Sequence, residues 1–328
     1  MTDKEIYKKT LPFSLRRLGW DILGVLLWGG LTVGGYYVGD LIGKHESDSA
    51  AVIGLLIGAV IGIVVMVVIA RFNSYRNKAA QIAMMTKGVT EDSLPEDVVG
   101  EGKRIVKERF TTVAGYFLVT NLVKGAFNEL GKLITNVGRA VGGDTGETVG
   151  SAISSVIQTV VRYLCDCCLG WVFYRDTVTA PKASCEGAVI FFKHGKTLMK
   201  NLGRVFGIGL LSLLLIGGVF ALIFYAIIKG LNIDPKFLND LAETFRGADE
   251  PNAVTQFLSE PGNLLIGAAI LGGIIVWAIV HSVFVRPYVL VGVLRNYIAS
   301  GVNDIPTEAA INELDAKSPK FRKLHAQA

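Results

Sequence analysis

The hydrophobic pattern divides the chain into long apolar runs separated by polar segments. Four of these runs are almost continuously apolar, and they cover residues 21–43, 50–70, 205–228 and 263–285. Each is about twenty residues long, which is the length that a helix needs to cross a roughly 30 Å hydrocarbon core. The first two are joined by the short polar segment KHESDS, so they are predicted to form a helical hairpin.

Two further segments, residues 110–141 and 148–175, have apolar residues at every third or fourth position. This period is typical of an amphipathic helix, and the segment GGDTGE between them favours a turn. Polar groups at the depth of a bilayer cost free energy unless they are paired or hydrated. Two interpretations stay open: both helices cross the membrane facing each other or water, or both project from the membrane or lie flat on it.

The remaining segments are polar and differ in charge. Residues 182–204 are basic and amphipathic, which predicts a helix lying at the membrane surface. Residues 71–109 contain eight Lys or Arg and six Asp or Glu, and they are predicted to be a cytoplasmic linker with one short helix. Residues 229–261 contain six acidic and three basic residues, and they are predicted to be an acidic outside loop.

The distribution of basic residues predicts the orientation in the membrane. The N-terminal arm has five Lys or Arg, the 71–109 linker eight, residues 175–204 six, and the region after Val285 six. Cytoplasmic loops carry an excess of such residues, and six crossing helices would put all four regions on the cytoplasmic side. The chain is therefore predicted to be an all-α polytopic helical membrane protein with six membrane helices, four strongly apolar and two amphipathic, plus the interfacial helix. It would form one domain over residues 1–328, with both termini cytoplasmic, in a bacterial inner membrane or a plasma membrane.

Composition agrees with this class. The chain is 51% hydrophobic and only 19% charged, against about 25% charged residues in average soluble domains. Its mean hydropathy is +0.46. The basic stretches all lie next to membrane helices, so the predicted partners are membrane lipids, with anionic lipid at the cytoplasmic face, and not nucleic acid. No removable signal peptide is expected, since no small-residue cleavage motif follows the first apolar run.

Glycines recur at intervals of four residues in each of the first two apolar runs: Gly35, Gly39 and Gly43, then Gly54, Gly58 and Gly62. Residues four apart share one face of a helix, and glycines there let a second helix approach closely. Packing within the chain is one interpretation of this pattern, and a homo-oligomer interface is the other.

The stretch YLCDCCLGW contains three of the four cysteines, Cys165, Cys167 and Cys168. A structural zinc site needs four tetrahedral ligands, and Cys167 does not share a helix face with the other two, so no metal site is predicted. Apolar packing is the default interpretation, and S-acylation is the alternative. Asp166 is predicted to pair with Arg162 one turn away or to bind a cation.

No catalytic or nucleotide-binding signature occurs in the sequence. It has no G-x-x-x-x-G-K-[ST] loop and no H-E-x-x-H motif, and its four histidines are scattered. The chain is therefore predicted not to be an enzyme and to use no cofactor.

One resemblance to a known family covers about residues 160–305. The run LCDCCLGWVFYRDTVTAPKASCEGAVIFFKHGKTLMKNLGRV resembles the back half of choline-transporter-like membrane proteins, in which a cysteine-rich helix end precedes an amphipathic cytoplasmic segment ending in L-x-x-N-x-x-R-V. FVRPYVLVGVLRNYIASGVND is similar to that family's closing helix and polar tail. The chain lacks the family's large extracellular loop and several of its spans. The resemblance implies a transport-related ancestor, and it assigns no substrate residues.

The predicted function is that of a transporter or channel-like protein. A small solute or ion would move along the polar faces of the third and fourth predicted helices, past Lys124, Asn128, Lys132, Ser155, Gln158, Arg162 and Asp166. The alternative is a non-catalytic membrane scaffold or assembly factor that oligomerises through its glycine-rich helix faces.

Overall fold

The computed structural model describes residues 1–43, 48–139, 147–231, 235–246 and 253–328, and every regular element in these ranges is a helix. The all-α prediction is therefore confirmed. Two π-helices, Leu213–Gly217 and His281–Val285, continue directly from α-helices. The α-helices are α1 (Asp3–Ile42), α2 (Asp48–Thr90), α3 (Val98–Glu108), α4 (Phe110–Arg139), α5 (Glu147–Tyr174), α6 (Ala180–Ser212), α7 (Gly218–Gly230), α8 (Pro235–Arg246), α9 (Ala253–Leu258), α10 (Pro261–Val280), α11 (Arg286–Asn303), α12 (Glu308–Lys317) and α13 (Pro319–His325).

Among the described residues, three helical stretches are long and apolar enough to cross a membrane. They are Asp3–Ile42, Gly207–Gly230 and Pro261–Asn303, and α2 adds a shorter apolar stretch at Ile53–Val68. These stretches indicate a membrane protein. The six predicted crossings are not confirmed, because the predicted helices 110–141 and 148–175 form α4 and α5 but are not among these stretches. The predicted turns KHESDS and GGDTGE lie mainly outside the described residues.

The chain forms two compact units. The first unit combines Met1–Gly203 with Arg286–Ala328, and the second unit is Arg204–Val285.

In the first unit, α1 and α2 pack along each other, and one half of this pair has an apolar surface. We call Trp20–Ile42 of α1 and Ile53–Val68 of α2 the apolar hairpin. Its large aliphatic side chains point outward, and Leu26 is 66% exposed while Ile42 is 74% exposed. An exposed apolar surface of this extent is unfavourable in water and is expected in contact with lipid.

The opposite half of the same pair lies in a packed helical core, formed with α3–α5, the start of α6 and α11–α13. Ile6 and Phe13 of α1 are fully buried, as are the alanine and methionine side chains at the end of α2. The largest buried side chains of the other helices are Phe127, Tyr163, Trp171, Phe191, Tyr297 and Phe321. Burying a large apolar side chain of this kind contributes about 1.5–3 kcal/mol to stability.

The linker predicted at residues 71–109, with one short helix, is instead mostly helical, since it contains the end of α2 and the whole of α3. Helix α2 continues through Thr90, because no proline interrupts the sequence after the apolar hairpin. The break comes only around Pro95, and α3 then starts where the Asp97 side chain accepts a hydrogen bond of 2.8 Å from the Gly100 backbone. This segment is therefore part of the helical core.

The predicted surface helix at residues 182–204 is part of α6, and its first half does not lie at a surface. Every residue from Ala183 to Phe191 is buried. The small residues in this stretch allow close packing: a Cβ atom at Gly187 would lie 2.8 Å from Cys168 Sγ and from the Tyr297 hydroxyl. Small residues around the whole helix, rather than along one stripe, make it a core helix.

Two other polar segments also contain helices. The acidic region 229–261 contains α8 and α9, and its residues 232–234 and 247–252 lie outside the described residues. The polar C-terminal tail forms α12 and α13, and its Phe321 is fully buried. The Ser318 hydroxyl donates a 2.5 Å hydrogen bond to the Glu129 carboxylate, which fastens the tail to α4.

In the second unit, the helix from Gly207 through α7 packs against α10. A Cβ atom added at Gly273 would overlap the carbonyl oxygen of Gly217, so the two backbones touch. Trp277 Nε1 donates a 3.0 Å hydrogen bond to Ser212 Oγ. The outer surface of this pair is apolar, and Leu222 is 72% exposed, which again indicates contact with lipid.

The glycines spaced four residues apart, which predict close helix packing, lie mainly in the contact between α1 and α2. A Cβ atom added at Gly35 would overlap the carbonyl oxygen of Gly54, and one added at Gly54 would overlap the carbonyl oxygen of Gly35. Gly43 is the residue that follows α1. Comparable overlaps with the partner helix would occur at Gly39, Gly58 and Gly62. Five of these glycines therefore occupy a contact within one chain.

We expect Gly35→Ala to destabilise the protein by about 1–3 kcal/mol, because the added methyl group would push α1 and α2 apart. Gly34→Ala is the matched control, since a Cβ atom there meets no atom within 4 Å. The control is expected to stabilise α1 by at most about 1 kcal/mol. The free energy of unfolding of both full-length variants, measured in mixed micelles, checks this. Equal values for the two would contradict the close contact.

Candidate functional site

The most highly charged buried site in the helical core is centred on Asp166 of α5. Its side chain is only 6% exposed, and each of its carboxylate oxygens faces a cation. Oδ1 pairs with the Lys78 ammonium of α2, and Oδ2 accepts a 2.6 Å hydrogen bond from Arg286 Nη2 at the start of α11. We call these three residues the ion cluster. It joins three helices that are far apart in the sequence.

Further groups surround the Arg286 guanidinium. Its Nη2 also donates to the carbonyl oxygen of Arg162 at 3.2 Å, and its central carbon lies 5.6 Å from the centroid of the Tyr163 ring. Arg17 of α1 is buried within electrostatic reach of Arg286 and Asp166. Two cations, Lys78 and Arg286, therefore contact the buried carboxylate, and Arg17 lies within electrostatic reach of both Asp21 and Asp166.

The geometry of the ion cluster fits a structural role. Both oxygens of Asp166 already face cations, so a metal ion there would meet two positive neighbours. The predicted local pair with Arg162 is not formed among the described residues, because the Arg162 side chain is exposed and only its backbone carbonyl joins the cluster. Removing one partner of a buried ion pair is strongly destabilising, which makes the ion cluster a clamp between helices.

The residues predicted to line a pathway do not share one buried surface. Lys124, Gln158 and Arg162 are exposed and Asn128 is half-buried, whereas Asp166 is buried in the ion cluster. Lys132 and Ser155 lie on α4 and α5, but their side chains are outside the described residues.

The four cysteines are free thiols and all are buried. The Cys168 thiol lies 3.8 Å from the Ser184 carbonyl oxygen of α6, to which it donates a weak hydrogen bond. Burial raises the pKa of the Cys185 thiol to about 12, so this thiol is protonated and unreactive at neutral pH. No group of three or more metal-binding side chains occurs among the described residues. The contacts are those of apolar packing, and the burial of these thiols leaves none of them open to S-acylation in the folded protein.

A second buried carboxylate, Glu186 of α6, is not marked by any sequence pattern. It accepts hydrogen bonds of 2.9 Å from Trp171 Nε1 and from both Nε and Nη2 of Arg175. This pair with Glu186 raises the pKa of the Arg175 guanidinium. The contact joins the end of α5 to α6, and it is again structural.

No family model, curated protein or solved structure matches this chain. The resemblance to choline-transporter-like proteins therefore stays a prediction.

We expect Asp166→Asn to destabilise the protein by about 3 kcal/mol, because it leaves the Lys78 and Arg286 charges without their counter-charge. This value is at the low end for buried pairs, since the Lys78 and Arg286 side chains are 27% and 22% exposed. The control is Arg162→Gln, which removes an exposed charge and is expected to cost less than about 0.5 kcal/mol. Denaturant unfolding of both variants measures the difference. A larger loss in Arg162→Gln would show that the local pair, and not the ion cluster, holds Asp166.

Proposed function

We propose that the protein is a non-catalytic membrane scaffold, in which apolar helices hold the helical core at the cytoplasmic face of a bilayer. The continuity of α1 and α2 carries this proposal. The same two helices are exposed and apolar over the apolar hairpin, and at their other ends they carry fully buried side chains such as Ile6, Phe13 and Met84. Because one helix serves as both anchor and core, the helical core would be held rigidly at the membrane surface.

The contacts of the buried polar residues favour a scaffold over a transporter. Asp166, Glu186 and Glu129 each join one helix to another. Polar groups that serve as structural links are not available to exchange partners with a moving solute. The pathway candidates whose side chains are described are divided between exposed positions and the ion cluster, which supports the scaffold proposal. Transport along α4 and α5 stays the competing prediction.

In this proposal the chain crosses the membrane four times, and α4 and α5 belong to the cytoplasmic helical core. The basic residues of the N-terminal arm and of the segment 71–109 then lie on the cytoplasmic side, as the positive-inside rule requires. Both chain termini would also be cytoplasmic.

A spin label tests the depth of α4 and α5 directly. We expect labels at Asn121→Cys and Gln158→Cys to be accessible to a water-soluble paramagnetic reagent, because both positions are exposed on the helical core. A label at Leu26→Cys of the apolar hairpin is the control, and it should be accessible to oxygen instead. Electron paramagnetic resonance of full-length protein in nanodiscs gives both accessibilities. Oxygen-dominated accessibility at Asn121 and Gln158 would put α4 and α5 in the bilayer and overturn the four-crossing arrangement.

A flux assay separates scaffold from transporter. Liposomes containing the purified protein should stay impermeable to a panel of small ions and organic solutes, and a pore-forming peptide serves as the positive control. The scaffold proposal fails if flux appears and if Lys124→Ala or Gln158→Ala reduces it at least fivefold, since these exposed residues belong only to the predicted pathway. Flux that neither variant changes would also reject a scaffold, and it would put the pathway elsewhere in the chain.

A further inference from the structure

A cleft of about 240 Å³ opens on the first unit at the end of the helical core. It lies between the first three helices, and its lining residues are Arg16 and Trp20 of α1, Arg76 and Asn77 of α2, and Lys103 and Val106 of α3. We call this the basic cleft. Three of its six lining residues are cationic, which is far above their share of the chain.

The three cations of the basic cleft have no acidic partner within the described part of the chain. Arg16, Arg76 and Lys103 are all exposed, and none of them forms an ion pair with a described carboxylate. The next residue of α3 behaves differently, since Arg104 pairs with Glu101 at 2.8 Å and with Glu108 at 2.6 Å. Like charges gathered without a counter-charge repel each other, so the basic cleft is a favourable position for an anion.

The basic cleft is separate from the ion cluster, although Arg76 and Lys78 are close neighbours on α2. Lys78 faces Asp166 in the ion cluster, where a protein carboxylate supplies the negative charge. Arg76 instead lines the cleft, where no carboxylate of the described residues pairs with it. Residues two apart point to roughly opposite sides of a helix, so Lys78 lies in the ion cluster while Arg76 lines the cleft.

The position of the basic cleft along α1 indicates which anion could reach it. Trp20 is 37% exposed, and the exposed apolar side chains begin directly after it, with Ile22 at 47% and Leu23 at 41%. Tryptophan is enriched at the boundary between the hydrocarbon core and the headgroups. If α1 and α2 cross the bilayer as proposed, the basic cleft lies at the depth of the lipid headgroups.

We propose that the basic cleft binds the phosphate group of an anionic phospholipid. The guanidinium groups of Arg16 and Arg76 match the oxygens of a phosphate as two-pronged donors, and Lys103 adds a compact positive charge. Trp20 and Val106 give the cleft an apolar wall suited to the part of the lipid between headgroup and acyl chains. This site rests on the proposed membrane position of α1 and α2, and it does not depend on whether the protein is a scaffold or a transporter.

The test counts lipid molecules bound to the full-length protein by native mass spectrometry. Protein from nanodiscs of phosphatidylcholine with a minor fraction of phosphatidylglycerol should retain the anionic lipid selectively. The double variant Arg16→Gln, Arg76→Gln should lose this selectivity by about fivefold for each removed charge. The control Lys8→Gln, Lys9→Gln lowers the net charge equally on exposed positions of α1 outside the cleft, and it should change selectivity less than twofold.

A second matched pair keeps the test valid if the arginine variant folds poorly. Lys103→Gln changes a cleft residue, and Lys107→Gln changes an exposed lysine one turn along the same helix. Equal selectivity in Lys103→Gln and Lys107→Gln, or in the arginine variant and its control, would overturn the proposal. Titration of detergent-solubilised protein with inorganic phosphate, followed by tryptophan fluorescence, separates the two sources of phosphate. Saturation at micromolar phosphate without lipid would overturn the assignment to a phospholipid, whereas no response below millimolar phosphate supports it.

Discussion

One buried carboxylate, Asp166, holds together the part of the protein into which α1 and α2 extend. Its partners lie on α2 and α11, so α5 cannot separate from either helix without leaving a cation uncompensated. Glu186 likewise links the end of α5 to α6. Glu129 links α4 to the start of α13 through the Ser318 hydroxyl. Hydrophobic contacts are non-directional, whereas a hydrogen-bonded carboxylate requires particular partner groups. The polar contacts therefore specify which helices pack against each other. The helical core is therefore stabilised by apolar burial and ordered by a few acidic residues.

This arrangement explains how one helix can serve two environments. Along α1, outward apolar side chains end near Trp20, and toward the N-terminus the buried positions are Phe13, Thr10 and Ile6. Helix α1 is continuous from Asp3 to Ile42, although Pro12 removes one backbone hydrogen bond near its start, so a single element joins the two regions. The close backbone contact at Gly35 and Gly54 joins the pair within the apolar hairpin, and the ion cluster holds α2 within the helical core. An attachment of this kind is what the proposed scaffold would require.

The parts of the fold that could be predicted are those with a local signal. An apolar run of membrane length and glycines at every fourth position are visible within one helix. Three of the predicted runs lie in helices long and apolar enough to cross a membrane, and Gly35 and Gly54 lie in the contact between α1 and α2. The errors concern helices that are buried all round. The end of α2 and the start of α6 contain alanine, cysteine, glycine and methionine on every face, so they show neither a long apolar run nor a clear stripe. Pairings such as Asp166 with Arg286, 120 residues apart, leave no trace in local periodicity. The helical spacing predicts Arg162 as the partner of Asp166, whereas among the described residues Asp166 pairs with Lys78 and Arg286.

The charges at the membrane end of the helical core are of two kinds, and only the structure separates them. In the sequence, the positive-inside rule accounts for four of these basic residues without distinguishing between them: Arg16, Arg17, Arg76 and Lys78. In the folded chain, Arg17 and Lys78 lie around a protein carboxylate, while Arg16 and Arg76 line an open cleft. Neighbouring residues on a helix face directions about 100° apart, so adjacent cations reach different surroundings. A charge that the protein neutralises itself stabilises the fold, and a charge that it leaves exposed beside lipid is available for recognition.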